Sequence, residues 1–385
     1  MLRRGAWLCA GAACVVAAVA HADPPPFAWK PSTASPASLR GADARSAKLL
    51  AGCGTPDSAL TEVASHGVER QLGGAGLFAS DELGMLLRVA GDPHVWPRAW
   101  SIAGDELEDD EIAARLGAWI KTTATLGVRR CGIARGTKAD GTVVVAAVSV
   151  DALADLAPLP TTARVGQWIT LDGTMLVAAT NAQVVLLGPR GAPKTIIASL
   201  SGNRIRSTFS VDQAGPWLVQ VMATVSTGPR PVLEAMVFAG TAPPTSFVRT
   251  PAPGEDAARG AKDDDDAMFR MVGGARAAEG LPGLVRDPAL DKLARAHSEE
   301  MKRARMVGHD VGGGDPRARI EAAGIQVRVA GENAASASTL EGAHRALWAS
   351  PSHRGNLLLS RFGRVGVGVV RSDGGNVWVT QIFAD

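Results

Sequence analysis

Two histidines and a glutamate near the C-terminus are of the types that carry acid–base or metal chemistry. His353 sits in "WASPSHRGNL", in a chain with only seven histidines. Ser350 is a good N-cap there, and Pro351 fits the first helical position because it lacks the N–H that would go unsatisfied. His353 is then third in a helix, where the positive end of the dipole disfavours imidazolium and holds the ring neutral. A neutral imidazole can ligate a metal or share a proton. His309 lies in a glycine-rich loop, "GHDVGGGDPRARIEAAG", where no apolar periodicity accounts for it. Glu332 and Asn333 follow a glycine in "VAGENAA", between a short β-like run and a helix. Two other histidines read as packing. His297 shares an apolar stripe with Leu290, Leu293, Ala294 and Met301, and His344 lies on the face of Leu340, Ala343 and Leu347.

The elements that position these residues can be read from local signals. "DPALDKLARAHSEEMKRARM" has helical spacing throughout, and Ser338 with Glu341 three positions on reads as the capping box of a later helix. "RVGVGVVRS" and "NVWVTQIFA" read as two strands joined by an Asp-Gly-Gly turn.

In this order, "GHD", "AGENAA", "ALWASPSHRGNLL", "VGVGVV" and "VWVTQIFA" resemble a bacterial member of the CAP superfamily, also called SCP-like extracellular proteins. The resemblance covers residues 266–385. It implies an α-β-α sandwich with a cleft holding two histidines and two acidic residues. His309 matches the first histidine, Glu332 the glutamate of the "GEN" motif, and His353 the second histidine. The family's second glutamate, where present, follows the helix tryptophan by three residues, and here that place is Pro351. Two neutral imidazoles and a carboxylate are a usual zinc set. The expectation is therefore no required cofactor, or zinc or another divalent cation on His309, His353 and Glu332. Arg354 is expected to pair with a carboxylate beside the cleft, or to be solvated. Asn333 is expected to fix the "GEN" turn through backbone hydrogen bonds, and Asn356 is a lesser candidate.

The 385 residues, 46% of them hydrophobic, suffice for two or three domains. Arg3 and Arg4, an apolar stretch and Ala20-His21-Ala22 read as a signal peptide over residues 1–22, cleaved near Ala22. Export to the periplasm or the extracellular space follows, and the mature chain has no run that could span a bilayer. Losing those two arginines takes Lys+Arg from 40 to 38, equal to the 38 Asp+Glu. Bulk charge then draws the chain to neither nucleic acid nor anionic lipid. Of four cysteines, Cys53 and Cys131 lie outside the signal, either as a disulfide or as two buried thiols.

An α+β fold in several parts is expected. Residues 23–39 read as a Pro/Ser-rich mobile tether and 241–265 as a Pro/Asp-rich linker. The four aspartates at 263–266 lack calcium-loop spacing and read as linker or helix N-terminus. Residues 155–240 carry short strands between turn signals, a small β-sandwich without a catalytic constellation. Residues 40–152 read as α+β. There "TPDSALTEVASHGVER" resembles "RDPALDKLARAHSEEM", and "VRRCGIARGTKADGTVVVAAVSV" resembles the closing strand pair. The two expectations for this region are a degenerate CAP-like copy lacking the site, and an unrelated α+β domain.

Three functional readings stand. The first is an exported, non-catalytic protein whose cleft binds a small ligand, a lipid or an envelope protein. The second is a metal-dependent peptidase or esterase, although the chain has no HExxH helix, no G-x-S-x-G elbow and no cysteine nucleophile. The third makes the His/Glu set structural, holding loops by hydrogen bonds.

Overall fold

The computed structural model describes residues 26–34, 44–122 and 125–385, so the expected signal peptide lies outside the described residues. Part of the expected tether does not. β1 (Ser32–Ala34) pairs antiparallel with β6 (Ala154–Leu159). The chain before it is pinned by Phe27 N–H to the Thr245 carbonyl and Trp29 Nε1 to the Pro244 carbonyl, both 2.8 Å. A mobile tether was the expectation, and for residues 26–34 docking replaces it. Pro/Ser composition removes periodicity from the sequence, but it does not prevent pairing with a distant strand edge.

The first unit runs α1 (Ala44–Cys53), β2 (Thr55–Pro56), α2 (Ser58–Leu72), α3 (Ser80–Val89), β3 (Arg98–Gly104), α4 (Asp109–Ile120), β4 (Val128–Thr137) and β5 (Val143–Ala152). Its sheet has the order β2-β4-β5-β3. Leu60, Val63 and Ala64 of α2 pack with Val148 and Val150 on one face, and Ile112 and Leu116 of α4 pack with Val145 and Ala147 on the other. Cys53, at the end of α1, is bonded to Cys131 of β4, with 5.9 Å between their Cα atoms.

The second unit takes β6 and continues through β7 (Thr162–Ala163), β8 (Trp168–Met175), β9 (Asn181–Leu187), β10 (Lys194–Ile197), β11 (Ser199–Ser201), β12 (Arg204–Ser210), β13 (Gly215–Val225) and β14 (Gly228–Ala239). Two five-stranded sheets, β1-β6-β8-β12-β11 and β10-β9-β13-β14-β7, face each other across one core that includes Leu171, Ile205, Phe209, Trp217 and Val219. Alternation of buried and exposed residues along β8 and β12 is what a half-buried strand requires.

The third unit comprises α5 (Asp264–Ala278), β15 (Val285–Arg286), α6 (Pro288–Ala304), α7 (Pro316–Ala322), β16 (Ala330–Ala337), α8 (Leu340–Ala349), α9 (Pro351–Leu358), β17 (Arg364–Arg371) and β18 (Val377–Ala384). Its sheet order, β15-β17-β18-β16, repeats that of the first unit strand for strand, including the parallel first pair and two antiparallel pairs. The helices recur in the same order, except that among the described residues nothing in the first unit stands where α9 does.

Residues 252–258, inside the expected linker, are built into the third unit. His344 Nε2 donates to the Pro253 carbonyl at 2.9 Å, and Arg345 pairs with Glu255. Asp263 caps α5 through the Asp266 N–H, Asp264 pairs with Arg371, and Asp265 accepts from the Val369 N–H and pairs with Arg295. The start of α8 differs by one residue from the sequence reading. Thr339, in extended backbone, caps α8 by accepting from the Gly342 N–H, whereas Ser338 was expected to do so.

Candidate functional site

Glu332 and Asn333 are neighbours on β16, so their side chains leave opposite faces of the sheet. Glu332 goes to the face covered by α6 and α7. There its Oε1 accepts from His309 Nδ1 at 2.9 Å, and its Oε2 is paired with the Arg319 guanidinium. His297 Nε2 lies 3.7 Å from the same Oε1. The carboxylate is 1% exposed, so these hydrogen-bonding groups stand in for water. A carboxylate only accepts, so His309 Nδ1 carries the hydrogen. In the neutral ring, Nε2 then presents a lone pair on a side chain that is 55% exposed.

Arg319 does more than neutralise Glu332. The same guanidinium donates to the carbonyls of His309, at 2.7 Å, and Gly314, which fixes the glycine-rich loop. His297 Nε2 donates to the Gly308 carbonyl at 2.8 Å, and its Nδ1 faces Glu300 at 3.3 Å. His297 is fully buried, as its helical stripe requires, and it is also a support of this loop. Arg319 gave no signal in the sequence: it is one of several charges in "DPRARIEAAG", and only the fold turns it inward.

Asn333 goes to the other face, under α9. Its Nδ2 donates to the His353 carbonyl at 3.1 Å and to Gln381 Oε1 at 3.0 Å, while Asn356 Nδ2 reaches Asn333 Oδ1 and the Glu332 carbonyl. These amides fasten α9 to β16. α9 begins at Pro351 after Ser350, so His353 is third in the helix. Its imidazole is pushed down to about 4, first because packing removes the charged form from water and second because of the charge of His309 nearby. Burial, then, and not the helix dipole, is the principal reason that this ring is neutral.

Arg354 is engaged elsewhere. It lies over the Trp348 ring at 4.0 Å, pairs with Glu279 at 3.3 Å and reaches the Gly188 carbonyl of the sandwich. Glu279 also accepts from the Gly191 N–H at 2.9 Å, so these residues join α9 to the turn after β9. Arg354 does pair with a carboxylate, but the partner belongs to this junction.

A cleft of about 900 Å³ opens beside His309 and Glu332. Its lining includes Ile320, Ile325, Val327 and Val329 together with Arg317, Arg328 and Glu321. A catalytic zinc uses three protein ligands. Glu332 is engaged with the Nδ1 side of His309 and with Arg319, and among the described residues no three His, Cys, Asp or Glu side chains converge as a ligand set. The donor set does not fit a resident zinc. Glu332 acts as the outer partner that orients His309.

Residues 269–383 match the sequence model of the cysteine-rich secretory protein family, CAP. Uncharacterized protein YkwD of Bacillus subtilis (strain 168) is 34% identical over 118 residues, 30% of this chain and 45% of that protein. The chain thus spans less than half the length of the curated relative it matches. Among solved structures, an outer surface protein from Borrelia burgdorferi is 22% identical with a TM-score of 0.31, covering 32% of this chain and 93% of that one. An extracellular protein containing a SCP domain from Bacillus anthracis str. Ames is 19% identical with a TM-score of 0.30, covering 59% and 88%. The C-terminal third of this chain, residues 269–383, carries a CAP domain.

Proposed function

We propose that this is an exported protein whose CAP-domain cleft binds a small amphiphilic ligand without performing chemistry on it. The observation that carries the reading is the lining of the cleft. Aliphatic Ile320, Ile325, Val327 and Val329 share the lining with polar and charged groups that include His309 and Glu332. Concave sites with apolar walls and a few fixed polar groups are how proteins hold such ligands. His309 supplies an oriented nitrogen, and the loop carrying it is held by Arg319 and His297.

Catalysis is not supported. His309 and Glu332 form an oriented base, but no hydroxyl or thiol nucleophile is among the residues bonded to His309, and a metal-bound water would need a third ligand that does not converge there among the described residues. The bonds of Glu332 to His309 and Arg319 do favour a second role for the same set, that of holding the glycine-rich loop in place.

The test is titration of a fluorescent acyl-chain probe into the native protein and into Val327→Arg, together with mass spectrometry of small molecules that co-purify. Saturable binding lost in Val327→Arg is expected. Equal binding by both proteins, with no co-purifying molecule, would remove the cleft from consideration.

A further inference from the structure

We propose that residues 303–307, which follow the buried face of α6, form a lipid-facing surface that seats the mouth of the cleft on an anionic bilayer. Met306 and Val307 are 53% and 44% exposed, two large aliphatic side chains standing in water beside the half-exposed His309. Arg303 and Arg305 are exposed next to them, and neither makes an ion pair among the described residues, whereas Lys302 is matched by Glu299. Arg305 also holds the left-handed cap of α6, at φ 52°, a place that favours glycine. An arginine there, on a strained backbone, argues that its side chain is used.

The first unit supplies the contrast. The corresponding connection between α2 and α3 also carries two large apolar residues, Leu77 and Phe78. They are folded back against Gly67 of α2, with Arg70 over the Phe78 ring at 5.7 Å and paired with Glu82. This architecture can therefore cover such a loop, and it does so in the unit without the histidine pair. In the corresponding connection of the CAP domain Val311 is packed inward, while Met306 and Val307 are left exposed.

Exposed aliphatic side chains flanked by unpaired arginines match a membrane interface, where the apolar groups enter the headgroup region and the cations meet anionic lipid. Of the side chains that most often anchor protein interfaces, residues 303–307 offer arginine but neither tryptophan nor tyrosine. Of the acidic side chains closest along the chain, Glu299 pairs with Lys302, Glu300 faces His297 Nδ1 at 3.3 Å, and Asp310 accepts from the N–H groups of Gly312 and Gly314. The proposal goes beyond the cleft reading and stands without it.

The test is co-sedimentation of the protein from residue 23 onward with phosphatidylcholine vesicles, with and without phosphatidylglycerol, at low and high salt. Omitting residues 1–22 keeps the apolar leader from carrying the protein to lipid. Salt-sensitive pelleting with the anionic vesicles alone is expected, weakened roughly ten-fold or more in Arg303→Gln/Arg305→Gln and in Met306→Ser/Val307→Ser. Melting temperatures should match the native protein, because these side chains are exposed. Pelleting that is absent, indifferent to lipid charge or unchanged in the variants overturns the proposal. Capture by immobilised polyglutamate without vesicle binding overturns it in favour of an acidic protein. Loss in Val327→Arg with retention in the loop variants overturns it in favour of the cleft.

Discussion

Gly132 lies against Leu60 as Gly366 lies against Leu290: a Cβ on either glycine would overlap the carbonyl carbon of its leucine. Each pairing brings a helix onto the middle of a four-stranded sheet, and each helix is capped alike. Asp57 accepts from the Ala59 and Leu60 N–H groups and donates its own to Cys131, and Asp287 does the same with Ala289, Leu290 and Val365. Sheet register extends the match. Ala99, opposite Val148, takes the place that Glu332, opposite Ile382, has in the CAP domain, and Trp100 takes that of Asn333. With no counterpart of α9 among the described residues, Trp100 stacks on Trp119 instead. Residues 44–152 thus share sheet order, strand register and helix capping with the CAP domain, without its His/Glu set.

Gly132→Ala and Gly366→Ala should each destabilise the unit that contains it, by about 3 kcal/mol or more, since the obstruction is helix backbone and cannot rotate away. Calorimetry with hydrogen exchange would locate the loss in one unit or the other. Native-like melting of either variant would show that the close approach is not needed.

Glu332→Gln should cost about 3–5 kcal/mol, because it leaves the Arg319 guanidinium buried without its counter-charge. Urea unfolding measures the loss, and proteolysis within residues 308–314 should become faster as the loop is released. A variant as stable as the native protein would mean that Arg319 finds equal solvation elsewhere.

What the sequence made legible was local. α9 begins at Pro351 because proline and the preceding serine decide that within one turn, and α6 follows its stripe of Leu290, Ala294, His297 and Met301. Choosing Thr339 over Ser338 was not legible, since both hydroxyls can cap and one residue of backbone geometry separates them. Long-range partners were equally silent. Nothing beside Arg319 marks it for Glu332, nor Arg354 for Gly188 and Glu279, because such pairings depend on how separate segments meet. His309, Glu332 and His353 were found through family resemblance. Spacing alone left them as a loop, a turn and a helix start.

Acid should destabilise the CAP domain through His353. Its folded value, about 4, is below the ordinary 6.5, so the unfolded chain binds the extra proton. The stabilisation is complete above pH 6.5 and is lost as pH falls toward 4, on the order of 3 kcal/mol in all. Comparing urea midpoints across this range in the native protein and His353→Gln isolates the contribution. Identical pH profiles would show that the ring titrates normally.

His94 has the opposite sign. Burial alone would lower its pKa, but the charge of Asp92 and the hydrogen bond to it outweigh burial and raise it; Asp57 assists, and Arg130 opposes. Geometry agrees: Nδ1 faces the Asp92 carboxylate at 3.0 Å and Nε2 the Ala154 carbonyl at 3.2 Å, two acceptors that together require both ring hydrogens. Ala154 opens β6, so the charged ring ties the first unit to the sandwich. The folded value lies above the unfolded one. The stabilisation is therefore full below pH 6.5 and disappears as pH rises through the folded value. When the ring loses its second hydrogen, one bond across this junction breaks. Hydrogen exchange at residues 92–96 and 154–156 should accelerate on the alkaline side in the native protein, and should be pH-independent, beyond intrinsic exchange, in His94→Leu. Exchange that stays equally slow on both sides of neutrality would mean that the junction is held without the charge.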